Sequence, residues 1–156
     1  MDVSLCAEVL QLARAMELQA IGQYMQLHYY LADKNYPDLA MSVKRIAIDE
    51  MRHAEQLSER IRDLGFTPCT TPAGPVENVD SWDAALALET ETLELYNSYI
   101  QQLREYGDNV SCDLLKVILN EEDSHHKYFK DIADSMARFG DFYLAAQSGT
   151  LYDADN

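Results

Sequence analysis

The stretch AIDEMRHAEQL, residues 47–57, decides the fold because it puts two ionisable side chains where a helix is otherwise apolar. Steps of three and four residues through this segment pass through positions 39, 43, 46, 50, 53, 57, 61 and 64, all apolar except Glu50 and His53. Both side chains are therefore predicted to face the protein interior. Burying an ionisable group is costly unless it is paired or binds a metal, so the stretch indicates a polar site inside a helical protein.

The same pattern recurs in three other helical segments. In the last of them, the series 114, 118, 122, 125, 129, 132 and 136 places Glu122 and His125 inward, again three residues apart. The other two segments each offer one inward glutamate, Glu17 in the first and Glu89 in the third. The apolar stripe of the third segment, with which Glu89 is in phase, consists of Leu86, Leu93, Tyr96, Ile100 and Leu103. Residues three apart share one face of a helix and are able to bind one metal ion. Two Glu-x-x-His pairs and two single glutamates match the ligand set already known from four-helix di-iron proteins.

Charge balance explains why such a set needs metal. Four converging carboxylates repel one another strongly, and two divalent cations would balance their charge while the imidazoles stay neutral. Oxygen-rich ligands with one imidazole per metal favour iron or manganese. A purely structural helical bundle would leave the buried carboxylates unexplained. His28 and His126 lie outside the pattern and are predicted to be surface or packing residues. The acidic residues that flank the pairs are predicted to support the ligands from outside or to lie at the surface: Asp49, Glu121 and Asp123.

Length and composition exclude several classes of protein. The chain of 156 residues is predicted to form one domain, residues 1–156. Its net charge of −15 argues against nucleic acid or an anionic membrane as a partner. Acidic residues near the start argue against a signal peptide. The odd number of cysteines, three, and the absence of a Cys-x-x-Cys motif favour a reducing cytoplasm.

Loop lengths predict the topology of an all-α protein. Helices are expected at about 3–33, 37–64, 81–106 and 110–138, with a short one at about 141–147. Two short turns make the first pair and the second pair of helices antiparallel. The long stretch between the second and third helices is able to cross the whole bundle. One long crossover in a four-helix bundle is the ferritin-like arrangement.

Five segments of the chain resemble bacterioferritin, in the same order and over nearly the whole length: MELQAIGQY (16–24), AIDEMRHAEQLSERI (47–61), ALALETETLELY (85–96), DNVSCDLLKVILNEEDSHHKYF (108–129) and YLAAQ (143–147). The resemblance implies a di-iron ferroxidase centre bridged by Glu50 and Glu122. Its full ligand set would be Glu17, Glu50, His53, Glu89, Glu122 and His125. Tyr24 would correspond to the family's catalytic tyrosine beside the centre; from the sequence alone, a core tyrosine is the simpler interpretation.

The resemblance also implies a haem. Met51 follows the bridging glutamate directly, where bacterioferritins have a methionine that ligates a haem shared by two subunits. Two thioether ligands favour reduced haem and electron transfer. The alternative is that Met51 only packs, as most helical methionines do. The family's inner iron site stays open, because Lys44, Arg45 and Ile46 stand where many members have histidine and glutamate, although Asp49 remains. The route of iron from the centre to the core therefore stays open.

The implied function is iron storage and detoxification. The protein would oxidise Fe(II) to Fe(III) with dioxygen or hydrogen peroxide and mineralise the product inside a hollow shell of twenty-four subunits. A ferredoxin-type protein would supply electrons through the haem. Two alternatives share this kind of metal site: a twelve-subunit Dps-like protein that protects against peroxide, and an enzyme that acts on another substrate, such as a rubrerythrin-like di-iron peroxidase or a manganese catalase. Particle mass distinguishes the first, and the missing four-cysteine iron domain of rubrerythrin argues against the second.

Overall fold

The structure is a computed structural model that describes residues 1–149. Within this range it contains five helices: α1 (Val3–Asp33), α2 (Pro37–Asp63), α3 (Trp82–Glu105), α4 (Asn109–Phe139) and α5 (Asp141–Gln147). The predicted all-α class, with four long helices and a short fifth one, is confirmed. The prediction of a single domain over 1–156 includes residues 150–156, which lie outside the described residues.

Side chains just outside three of the helices fix where they begin. Asp2, Ser81 and Asp108 accept hydrogen bonds from the backbone N–H groups of Leu5, Ala84 and Ser111, at 3.2, 3.1 and 3.1 Å. Each bond satisfies a donor that the first turn of a helix leaves free. Ser81 is therefore the cap of α3 rather than its first residue. α2 begins with Pro37, whose missing N–H costs nothing in the first turn.

The crossover, residues 64–81, runs along α1 in the same direction as that helix. Gln11 Nε2 donates to the carbonyl of Thr67 at 2.7 Å, and Ala73 N–H donates to the carbonyl of Ala15 at 2.8 Å. Further along, Val76 covers Gly22 so closely that a Cβ added at Gly22 would lie 2.7 Å from its methyl carbon. The crossover thus carries the chain from the end of α2 to the opposite end of the bundle.

Contacts at the two ends of the bundle establish the helix directions. Asp2 N–H donates to the carbonyl of Tyr106 at 3.0 Å, so α3 ends where α1 begins. Gly149 N–H donates to the carbonyl of Asn35 at 3.2 Å, which brings the end of α5 to the turn between α1 and α2. α3 is therefore antiparallel to α1 and parallel to α2, as the loop lengths predict.

The apolar core is divided into two clusters by a polar layer at mid-height. One cluster includes Leu10, Leu57, Leu103 and Leu115, and the other includes Leu27, Val43, Ala85 and Phe129. On every long helix the inward glutamate falls between the residues of the two clusters. The stripe predicted for α3 is partly wrong: Leu86 and Leu93 are only half-buried, while Ala85 and Thr92 are buried.

The cysteines lie in two different settings. Cys6 and Cys112 are buried, and Cys69 is half-buried in the crossover, where its backbone N–H donates to Gln11 Oε1 at 2.6 Å. No helix within residues 1–149 is long and apolar enough to cross a membrane.

Candidate metal centre

Six ionisable side chains meet in the polar layer, and all are at least 95 % buried. They are the six predicted from the helical pattern: Glu17, Glu50, His53, Glu89, Glu122 and His125. They form two groups, in each of which one ligand atom per residue lies within 4.8 Å of the others. The first group contains Glu17 and His53, the second contains Glu89 and His125, and both contain Glu50 and Glu122. The two shared carboxylates thus lie between the two groups.

Each imidazole turns its Nδ1 atom toward the centre. His53 Nδ1 lies 3.0 Å from Glu50 Oε2 and 2.9 Å from Glu122 Oε1. His125 Nδ1 lies 3.1 Å from Glu50 Oε1 and 3.5 Å from Glu122 Oε2. The two rings are tilted by 30° with their centroids 6.1 Å apart. The arrangement is nearly symmetric, because α2 and α4 contribute the same pair at the same spacing.

Several atoms of the centre lie close together without forming hydrogen bonds. Glu50 Oε1, Glu122 Oε1 and His125 Nδ1 are buried, yet they have no hydrogen-bond partner among the described residues. Their distances suit hydrogen bonds but their directions do not. Unpaired buried polar atoms are costly, and a metal ion in the space between them removes that cost. The donor set of carboxylates and imidazoles therefore fits two iron ions.

The pKa values of Glu17 and Glu89, the two glutamates that belong to only one ligand group each, are strongly raised. Burial raises the pKa of Glu17 well above its usual range, and the charges of Glu122 and Glu50 raise it further. Burial raises the pKa of Glu89 in the same way, with the charges of Glu50 and Glu122 adding to it. The raised pKa values favour the protonated form of both carboxyl groups, and bound cations would compete with those protons.

The pKa values of Glu122 and the two imidazoles are shifted toward the charged form of each group. Burial raises the pKa of Glu122, but adjacent His125 and His53 outweigh this effect and lower it to about 2. Burial lowers the pKa of His125, but Glu122 and Glu50 outweigh this effect and raise it to about 11. Burial also lowers the pKa of His53, but Glu122, Glu17 and Glu50 outweigh this effect and raise it. The protonated imidazoles thus supply the positive charge that the carboxylates need when no metal is bound.

A tyrosine hydroxyl holds each of the single glutamates. Tyr24 donates to Glu89 Oε1, and Tyr96 donates to Glu17 Oε1. Both tyrosines are fully buried, and Tyr24 also stacks on Phe129 with ring centroids 5.2 Å apart. The structure therefore places Tyr24 beside the centre. The contact of Tyr96 was not predicted from the sequence, in which Tyr96 is only one position of the apolar stripe of α3. The signal is its place two turns after Glu89 on the same face of α3.

The outer edges of both imidazoles contact acidic residues. His53 Nε2 lies 3.0 Å from Glu121 Oε2, and His125 Nε2 lies 3.2 Å from Asp49 Oδ2. Asp49 and Glu121 thus contact the imidazoles from the outer side of the centre and are partly exposed themselves. Asp123 is exposed. The remaining histidines lie away from the centre: His28 Nδ1 contacts the carbonyl of Ala40 at 2.8 Å, and His126 is half-buried on the outer side of α4.

Comparison with known proteins agrees with this geometry. The family model of the ferritin-like domain matches residues 7–139. Bacterioferritin from Desulfovibrio desulfuricans is 43 % identical over 147 residues, which cover 92 % of this chain and 82 % of that protein. The chain belongs to the bacterioferritin family. Bacterioferritin BfrA from Mycobacterium tuberculosis is 32 % identical over 136 residues, covering 84 % of this chain and 85 % of that protein.

Solved structures of bacterioferritins superpose on the whole bundle. The X-ray structure of the D. desulfuricans bacterioferritin, described as showing its diiron site in different catalytic states, matches with a TM-score of 0.93 and 40 % identity. The match covers 99 % of this chain and 92 % of that one. M. tuberculosis BfrA matches with a TM-score of 0.86 and 28 % identity over 92 % of this chain and 94 % of that one. The predicted ferritin-like bundle and bacterioferritin resemblance are confirmed.

Proposed function

We propose that this bacterioferritin stores and detoxifies iron, and that its buried centre is a ferroxidase that oxidises Fe(II) to Fe(III). One observation carries the proposal: two four-residue ligand groups share Glu50 and Glu122, so that two metal ions would lie side by side. The described diiron site of the D. desulfuricans relative supports the same assignment. Membership of the bacterioferritin family favours this function over a Dps-like or rubrerythrin-like one.

Ferrous iron is the substrate of the centre. Glu17 and His53 would hold one ion, Glu89 and His125 the other, and the shared carboxylates would bridge them. Two adjacent ferrous ions supply the two electrons that reduce dioxygen to hydrogen peroxide, or hydrogen peroxide to water. Carboxylate oxygens are hard ligands and stabilise the ferric product more than the ferrous substrate. The apolar clusters above and below exclude bulk water from the site, which strengthens these interactions.

Tyr24 is proposed to act beside the centre. Its buried hydroxyl donates to Glu89 Oε1 and so holds the carboxylate in one orientation. Burial raises the pKa of Tyr24 well above its usual range, and the charge of Glu89 adds to this effect. The hydroxyl therefore keeps its proton and remains a hydrogen-bond donor to that ligand throughout.

Oxidation of limiting ferrous iron by the metal-free protein tests the proposed function. We expect a rapid phase of oxidation that saturates at two ferrous ions per subunit, because the two groups of ligands hold one ion each. Stopped-flow absorbance at increasing iron-to-subunit ratios measures this limit. Oxidation no faster than in protein-free buffer, or a rapid phase that saturates at one ion, would contradict a di-iron ferroxidase.

The wider assembly is also part of the proposal. Twenty-four subunits would enclose a cavity in which ferric iron mineralises, and the net charge of −15 would draw ferrous ions toward the shell. Dioxygen or hydrogen peroxide would be the oxidant, and a ferredoxin-type protein the electron donor. A cytoplasmic location fits a protein that meets free ferrous iron.

The residues around Met51 fit a haem at the surface of α2. Met51 is 44 % exposed, and Ile48, one turn earlier on α2, is 43 % exposed. Lys44, one turn before Ile48, is also exposed. An exposed thioether beside an apolar side chain, with a cation at the end of the row, suits an apolar ring that carries carboxylates. A haem bound there would supply electron transfer for the release of stored iron. Met51 would hold its iron through the thioether, together with the equivalent methionine of a second subunit.

Haem binding is expected to depend on the thioether of Met51. The Met51→Leu variant should assemble normally but lose the haem absorbance, because leucine keeps the apolar volume and removes the sulfur ligand. The measurement is the ratio of haem to protein absorbance on a sizing column. Met41→Leu is the matched control, since Met41 lies on the same helix and is 43 % exposed. A haem ratio in Met51→Leu equal to that of the control would contradict the assignment.

A further inference from the structure

We propose that Asp49, Arg52 and Glu121 form a positioning network that makes both histidines bind metal through Nδ1. The inference rests on the proposed di-iron centre and adds residues that act on the ligands without touching the metal. The network lies at the outer rim of the centre, where the side chains of Asp49 and Glu121 are 31 % and 39 % exposed. The ligand glutamates, by contrast, are no more than 1 % exposed.

The contacts of the network cross between the helices. Asp49 on α2 contacts His125 on α4 at 3.2 Å, and Glu121 on α4 contacts His53 on α2 at 3.0 Å. Each of these carboxylates directly precedes a shared glutamate in the chain, so α2 and α4 use the same arrangement. The contact that orients each histidine therefore comes from the helix opposite to its own.

Such a contact fixes which nitrogen of a neutral imidazole ring carries the proton. A neutral imidazole carries one N–H, and its other nitrogen has a free lone pair. When a ring is neutral, as a metal ligand must be, Asp49 and Glu121 would accept the N–H at Nε2, and the lone pair would then be at Nδ1, the atom that faces the centre. A carboxylate behind a metal-binding histidine fixes the tautomer and ring orientation and raises the basicity of the ligand nitrogen.

Arg52 connects the two carboxylates. Its guanidinium forms an ion pair with Asp49 and lies 3.3 Å from Glu121 Oε2. This positive charge offsets the repulsion between the two acidic side chains and keeps them from turning into solvent. The side chain of Arg52 is 53 % exposed, so its own contribution to stability is small. Its effect is to hold both carboxylates against the imidazoles.

Cobalt(II) binding to the metal-free protein tests the network, because bound cobalt absorbs visible light and needs no turnover. The wild type should bind two cobalt ions per subunit. Asp49→Ala should weaken one binding step by about 10- to 100-fold, and Glu121→Ala should weaken the other by a similar factor. Asp49→Asn and Glu121→Gln keep an oxygen acceptor and should restore most of the lost affinity, whereas Arg52→Gln should weaken both steps.

Matched controls separate orientation from charge. Glu55→Ala on α2 and Asp123→Ala on α4 remove the same charge from exposed positions of the same helices, and should leave both steps unchanged. The network is disproved if Asp49→Ala and Glu121→Ala bind cobalt as their controls do, or if each weakens both steps equally. Failure of the wild type to bind two cobalt ions would instead contradict the proposed di-iron centre itself.

Discussion

Glu122→Ala is expected to abolish the rapid oxidation of ferrous iron, because Glu122 belongs to both ligand groups. Loss of this carboxylate removes a ligand from each metal position at once. Loss of a residue that only supports a ligand lowers metal affinity about 10- to 100-fold, so loss of a shared ligand should cost at least about 100-fold at both positions. Stopped-flow oxidation at less than two ferrous ions per subunit measures the effect.

The fold of the variant should survive, since Glu122 has two opposing effects on the metal-free protein. Its charge raises the pKa of Glu17 by repulsion, and its removal relieves that repulsion. Its removal also takes away the partner of His53 and His125. The Tm of the metal-free variant should therefore change little, while the rise in Tm on adding metal should disappear. Asp123→Ala, one residue further and exposed, is the control; a rapid phase that persists in Glu122→Ala would place the ferroxidase site elsewhere.

Helical periodicity alone predicts the inward side of each helix well where the pattern is unambiguous. The second helix shows this most clearly: every position of its predicted series is buried except Leu64 at its end. Glu50 and His53 stand out because neighbours on the same face are apolar. The stripe of α3 is less regular, and Leu86 and Leu93 were assigned to the interior in place of Ala85 and Thr92. Small and polar residues carry little hydrophobic signal, so the pattern fixes the rotation of α3 less well.

Contacts between helices need more than periodicity. The pairing of Asp49 with His125 depends on how α2 and α4 are rotated against each other, and no pattern within one helix contains that angle. Tyr96 illustrates a second limit, because a tyrosine contributes an apolar ring and a polar hydroxyl. The sequence placed its ring in the core, but only the structure shows that its hydroxyl donates to Glu17.

Asp108 was also not singled out by the sequence, although the structure makes it a junction of the bundle. It is 1 % exposed and caps α4 by accepting from the backbone N–H of Ser111 at 3.1 Å and from its hydroxyl at 2.5 Å. Arg60 on α2 donates to both of its carboxylate oxygens, at 2.8 and 3.0 Å. One side chain thus ties the end of α2 to the start of α4.

Asp108→Ala is expected to lower the free energy of unfolding by about 3–5 kcal/mol, the usual cost of removing one partner of a buried ion pair. The reason is that the guanidinium of Arg60 loses its partner and α4 loses its cap. Each kcal/mol shifts Tm by about 2–4 °C in a chain of this size, so a decrease of about 10 °C is expected by calorimetry. Asp113→Ala is the matched control, because Asp113 forms a surface ion pair with Lys116 and its side chain is 74 % exposed.

The pH dependence of this effect follows from the pKa of Asp108. Burial raises that pKa, but the hydrogen bonds from Ser111 and Arg60 outweigh this effect and lower it below its usual value. A carboxyl group whose pKa is lowered by folding stabilises the protein above its unfolded pKa of about 3.9, and this contribution is lost as the pH falls through the folded value. The Tm difference between wild type and Asp108→Ala should therefore be constant near neutral pH and shrink below about pH 4. Melts at one fixed protein concentration measure it, because subunit assembly also affects Tm. A difference that stays constant down to pH 3 would show that the junction contributes through packing and not through its charge. A difference no larger than that of Asp113→Ala would contradict the predicted contribution of the junction altogether.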